Sequence, residues 1–372
     1  MLRMVNFKGI AMGAYDWLNN RVTDENLDKL KGMGFSAISP TLCWGAVENE
    51  DGTYNETQLS NLRDGIDRAK AKGFTIIISW RVSQGFPSSC NPWSDDKPTW
   101  EWLLTPEGTQ RYTAFLTEMG RRFPEIMHGI VHFPFHGVVP TQEQQSAFYA
   151  LAPQWINAIK VYNNQPVIFT PIWQGEEIAD HPHDVVHWFR TGVPYNIPNV
   201  IYGVGHIGHG CMQFTDNYKY MPWSYENDFP ALKENYDVLK AFKNRYGVQL
   251  AGFEYIGIHW KNPYGQAGVY DGLRPRQEQL DYLDASLKLA NDIGLNWCYW
   301  HGILEDFTDD NLFICQNGGL KDDDFYIEPS IAPIIKKWLK ASAPVVASSF
   351  LLSLLGILLI LLLFLSMSGG KK

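Results

Sequence analysis

The sequence predicts an α/β chain: a (β/α)8 TIM barrel followed by a single C-terminal transmembrane helix. Three observations carry this prediction. Short β-rich apolar runs alternate with amphipathic stretches through residues 1–340, the pattern of a parallel sheet with crossover helices. Aromatic and ionisable residues gather directly after those runs, where a barrel carries its chemistry. Residues 345–367, VVASSFLLSLLGILLILLLFLSM, hold no charge.

The strand candidates, in order, are FKGIAMGA, FSAIS, FTIIISW, GIVHFPF, PVIFTPIW, NVIYGVG, VQLAGFEYIG and LNWCYW. Eight strands alternating with helices close into a barrel more readily than they form an open doubly wound sheet. The helical stretches include Glu56–Lys72, Gly108–Arg122, Gln142–Tyr162 and Arg276–Ile293. Gly73 and Gly294 each stand just before a strand, where a helix C-cap glycine belongs. The strand mouths then fall at Thr41–Trp44, Trp80–Trp93, Phe135–Val138, Trp173–Glu177, His206–His209, Glu254–His259 and Trp300–Asp306.

The apolar run is long enough to cross roughly 30 Å of hydrocarbon as a helix. The expected organisation is a barrel over 1–340, a short linker at 341–344, a transmembrane helix at 345–367 and a polar tail at 368–372. The lipid bilayer is thus an expected partner. Lys336, Lys337 and Lys340 precede the span and Lys371 and Lys372 follow it, so the positive-inside bias is nearly balanced. The opening MLRMVNFKGIAMGAYDWL lacks the long apolar stretch and cleavage site of a signal peptide. That favours a cytoplasmic barrel, whereas a polysaccharide-degrading enzyme is more useful facing outward; the side of the membrane stays open.

Composition excludes several classes. The net charge is −9 and no Lys/Arg cluster is present, which argues against nucleic acid as a partner. Five cysteines are scattered without a CxxC pair, so neither a disulfide framework nor a zinc site is signalled. His181, His183 and Asp184 read as a solvated turn rather than a metal site, and no metal or other cofactor is expected. The 14 Trp suit either a carbohydrate cleft, because sugars stack their C–H faces on rings, or the packing of a barrel. Asn55-Glu56-Thr57 is a glycosylation sequon, meaningful only in a secreted domain.

At the strand mouths the chain resembles glycoside hydrolase family 5, the cellulase and endoglucanase-like barrels. FKGIAMGAYDWL resembles the family's first strand. GFSAISPTLCWGAVENEDGTYNETQLSNLRDGIDRAKAKGF resembles its second and third units, and VSQGFPSSCNPWSDD its third loop. NVIYGVGHIGHG, AGFEYIG and NWCYWHG resemble strands six, seven and eight. The resemblance implies hydrolysis of a β-linked oligo- or polysaccharide by a retaining mechanism. Such a mechanism needs two carboxylates about 5–5.5 Å apart, one as nucleophile and one as acid/base.

The nucleophile position falls on Glu254, a charged residue inside an otherwise apolar strand, where carboxylates are rare unless paired or used. The alternative is a structural pair with a barrel Arg or His. The resemblance further implies sugar platforms at Trp44, Trp93 and Trp300, with Arg81, His136 and His206 lining the cleft. The second carboxylate departs from the pattern: the family's Asn-Glu after strand four aligns with Phe135-His136, and its strand-two Arg falls on Ser39. Three readings follow. His136 acts as proton donor, since imidazole titrates near neutral pH. A carboxylate from another loop, such as Glu176, Glu177 or Glu305, reaches the leaving oxygen. Or the barrel has lost catalysis and keeps carbohydrate binding at a membrane surface.

Overall fold

The computed structural model describes residues 6–12, 17–18, 22–82, 100–130, 141–172, 186–206, 223–255, 276–300 and 332–340. Eight parallel strands close into one barrel in sequence order. They are β1 (Lys8–Met12), β2 (Ala37–Cys43), β3 (Thr75–Arg81), β4 (Met127–Ile130), β5 (Val167–Phe169), β6 (Val200–His206), β7 (Gln249–Tyr255) and β8 (Asn296–Trp300). β8 closes the ring by pairing with β1, Lys8 opposite Trp297. Each sequence-predicted strand supplies one of the eight.

The helices between them are α1 (Asp24–Met33), α2 (Trp44–Val47), α3 (Glu56–Ala71), α4 (Trp100–Leu103), α5 (Pro106–Arg122), α6 (Gln142–Lys160), α7 (His187–Thr191), α8 (Phe229–Tyr246), α9 (Arg276–Asp292) and α10 (Ala332–Lys340). Local chemistry fixes their ends. Thr23, Asn55, Thr105 and Thr141 each accept a hydrogen bond from a first-turn N–H, satisfying donors that a helix start leaves orphaned. Thr141 and Gln144 form a complete capping box. Asn55, the sequon asparagine, uses its side-chain oxygen on Gln58 N–H in this way. Gly73 and Gly294 hold φ of +77° and +61°, a conformation that costs other residues energy, and each turns the chain into the next strand.

Packing sets which strand positions face the lumen. Trp80 meets Phe115 of α5 edge-on at 5.1 Å, so the even positions of β3 face the helices and the odd ones face inward. Ser79 lies 3.3 Å from Ser39 across the lumen side, Oγ to Oγ. Tyr202 stacks on Trp188 of α7 at 5.5 Å, which leaves Gly203 inward. Inward positions mix small residues, Gly9, Ala37, Ser39, Ser79, Gly129, Gly203, Ala251 and Cys298, with Ile77, Ile168 and Ile201. Bulk lies in the outer layer, where Trp44, Trp80, Trp155 and Trp297 are all fully buried. Cys43 and Cys298 are buried and are not joined in a disulfide among the described residues.

Among the described residues no helix is long and apolar enough to cross a membrane; the run 345–367 lies outside them.

Candidate active site

A polar cluster behind the strands fixes β3 and β4 before any site is built. Trp80 Nε1 donates to His128 Nδ1 at 3.0 Å, and His128 Nε2 lies 3.0 Å from the Phe123 carbonyl. Indole only donates and a carbonyl only accepts, so His128 is neutral with its proton on Nε2. Burial lowers its pKa from 6.5 to about 4. Asn163 donates to the carbonyls of Phe123 and Ile126, closing the network.

On the mouth rim the sequence-predicted residues distribute as follows. Arg81 ends β3 opposite Cys43. His206 ends β6 opposite Tyr255. Glu254 is the penultimate residue of β7, and Trp300 ends β8 opposite Ala11. Positions 206, 254 and 300 therefore stand on three adjacent strands, with 81 across the barrel. His136 and Trp93 lie outside the described residues, as do Glu176, Glu177 and Glu305.

The placement of Glu254 depends on a register slip. Gly203 pairs with Ala251 and Val204 with Gly252, but His206 pairs with Tyr255. From the second pair to the third, β6 advances two residues (206 − 204) while β7 advances three (255 − 252). The extra residue of β7 therefore falls at positions 253–254, between the pairs Val204–Gly252 and His206–Tyr255. Bulges of this kind commonly re-aim a side chain beside an active site.

Trp44 is a correction to the expected platform. It has no exposed surface, and its ring packs against Trp102 (5.6 Å), Tyr112 (5.0 Å) and Phe115 (5.5 Å). The short helix α2 turns it away from the mouth, and Nε1 donates to Glu48 Oε2 at 2.8 Å. Glu48 also accepts from Arg111 Nε at 2.7 Å, while Arg111 donates to the carbonyls of Glu50 and Asn49. Burial raises the Glu48 pKa, and the bonds from Trp44 and Arg111 work against that rise. An open cavity of about 310 Å³ is lined by Glu48, Tyr54 and Arg111. With the guanidinium committed to this clamp, the cavity belongs to the scaffold outside the barrel.

Two hydroxyls were missed by sequence reasoning. Thr41 Oγ1 and Thr170 Oγ1 are buried and have no hydrogen-bond partner among the described residues. Thr41 shares the inward parity of Ser79. Thr170 faces Gly203 so closely that an added Cβ there would stand 2.3 Å from its Oγ1. An orphaned buried hydroxyl costs about 1–3 kcal/mol, so lumen positions below the mouth are where a bound polar group would offset that cost. The available signal was polar residues two apart in a strand, Ser39 and Thr41.

Comparison with known proteins agrees with this architecture. The family model described as Cellulase (glycosyl hydrolase family 5) matches residues 3–202. No curated protein matches by sequence. Thermotoga maritima Cel5A in complex with mannotriose superposes with a TM-score of 0.61 at 12% identity, covering 88% of this chain and 97% of that one. The family 5 xyloglucanase from Paenibacillus pabuli gives 0.61 at 14%, covering 90% and 98%. Endo-glycoceramidase II from Rhodococcus sp., as a lactosyl-enzyme intermediate, gives 0.54 at 13%, covering 81% and 74%. A family model spanning more than half the chain, on a closed eight-stranded barrel, establishes that this chain belongs to glycosyl hydrolase family 5 and is a glycoside hydrolase.

Proposed function

We propose that the chain is a membrane-anchored retaining glycosidase that hydrolyses O-glycosidic bonds in a β-linked glycan. The observation that carries this is the irregularity in β7 at positions 253–254, which puts Glu254 beside a bulge at the C-terminal end of a family 5 barrel strand. In this reading Glu254 attacks the anomeric carbon and His136 protonates the leaving oxygen. Water then hydrolyses the glycosyl-enzyme with His136 as base. Arg81, His206, Trp93 and Trp300 hold the sugar, and the run 345–367 spans the bilayer. Relatives named for mannotriose, xyloglucan and glycoceramide indicate β-linked oligosaccharide as the substrate class.

The test is hydrolysis by the full chain in detergent of β-glucans, mannans and an activated aryl β-glycoside, beside Glu254→Gln and His136→Ala. Glu254→Gln should abolish turnover of every substrate. His136→Ala should abolish cleavage of natural glycans but spare the first step with the aryl glycoside, whose leaving group needs no proton, giving a burst of released aryl group followed by slow turnover that azide restores. Natural-glycan cleavage that survives His136→Ala would move the acid role to another residue. Binding without cleavage of any substrate would replace the reading with a glycan-binding barrel.

A further inference from the structure

α10 is the helix of the eighth βα unit, and it ends at the base of the barrel, where the strands begin. Trp338 O accepts from Lys8 Nζ at 2.9 Å, at the first residue of β1. Asn291, at the end of α9, also donates to Trp338 O. Leu339 lies against Gly34, just before β2. Asp284 fastens the same helix through Lys337 and Trp338 Nε1, and Ile335 is fully buried. The departure point of the chain at Lys340 is therefore fixed to the base. Five Cα steps separate Lys340 from Val345, so the apolar run starts within roughly 18 Å of that face.

The base suits a lipid surface in two further ways. Although the chain is acidic overall, the helix ends carry Lys31, Lys72, Lys243, Arg245, Lys337 and Lys340; Lys31 and Lys243 donate to backbone carbonyls and Lys337 pairs with Asp284. Lys72 is partly engaged with Asp28, while Lys336 and Lys340 are exposed and make no ion pair among the described residues. Cations at helix C-termini complement the helix dipole, which explains each one singly. It does not explain the second feature: at the end of α6, on the far side of the base, Val161 and Tyr162 are 63% and 51% exposed. Exposed aromatics and cations together are the composition of a membrane-interface surface.

We infer that the base of the barrel lies on the bilayer that holds the anchor, so that the mouth is directed away from it. The substrate is then a glycan in the aqueous phase or an adjoining matrix, and not the headgroup of a glycolipid in the same leaflet. This inference rests on the anchor proposed above.

The test uses the full chain reconstituted in vesicles of phosphatidylcholine with phosphatidylserine carrying an acceptor dye on the headgroup. A fluorophore is introduced through a non-natural amino acid at position 164 or at position 143, both exposed. Position 143 lies in the first turn of α6 and position 164 four residues past its end, and the 19 residues of that helix extend about 28 Å at 1.5 Å each. Energy transfer should be at least about threefold stronger from 164 than from 143, given that separation. Combining Val161→Ser, Tyr162→Ser and Lys340→Glu should lower the transfer from 164. Equal transfer from both positions, stronger transfer from 143, or no response to the triple substitution would overturn the inference while the anchor stands. Failure of the chain to float with the vesicles after alkaline carbonate would instead remove the anchor.

Discussion

Acidification provides a quantitative handle on the scaffold behind the active site. His128 is fully buried, neutral, and bonded on both ring nitrogens to Trp80 and Phe123 O. Its pKa falls from 6.5 in the unfolded chain to about 4 in the fold, chiefly through burial. Between those values the unfolded chain binds more protons than the folded one, so stability falls as pH falls through that window. At 1.36 kcal/mol per pKa unit the loss is about 3 kcal/mol, complete below pH about 4. His128→Gln retains one acceptor and one donor but does not titrate. Urea unfolding of the full chain in detergent, followed by Trp fluorescence from pH 7 to pH 4, should therefore give profiles that separate. The wild type should lose about 3 kcal/mol more than the variant on going to acid pH. Parallel profiles for the two proteins would refute the neutral-histidine reading, whatever their offset at pH 7.

Other perturbations follow from the same contacts. Arg111→Ala strands the buried Glu48 carboxylate and should cost about 3 kcal/mol; adding Glu48→Gln should recover part of that, measured as a double-mutant cycle in urea. Gly203→Ala drives a methyl to within 2.3 Å of Thr170 Oγ1 and should cost about 1–3 kcal/mol in thermal unfolding, partly relieved by Thr170→Ala. Lys8 is lowered by burial to about 8, so the unfolded chain holds its proton longer. Stability should rise with pH between about 8 and 10.5, and Lys8→Met should flatten that rise.

Much of the fold was legible in the sequence because parallel barrel strands are buried on both faces and read as apolar runs. The capping glycines Gly73 and Gly294 were legible because few residues tolerate their φ. α8 carries the same signal, with Leu232, Tyr236, Leu239 and Phe242 buried at helical spacing. Trp44 misled because an aromatic after a strand reads the same whether it faces the cleft or α5. Its direction depends on the turn of α2 and on Glu48 four residues on. The slip at Glu254 was illegible, since register is a property of two strands and neither sequence alone encodes it. His128 was passed over because Trp80 reaches it only once β3 and β4 pair, and its local partner is a backbone carbonyl that no side chain announces.

The most direct test of the proposed chemistry is trapping with an activated 2-deoxy-2-fluoro-β-glycoside, which slows breakdown of a glycosyl-enzyme, followed by peptide mass mapping. One covalent adduct should form on Glu254, with loss of turnover on the same time course and no adduct on Glu254→Gln. Its turnover should be reduced by roughly 10⁴-fold, as for other removed nucleophiles. An adduct on another residue, or glycan cleavage with inverted product and no adduct, would contradict the proposed chemistry.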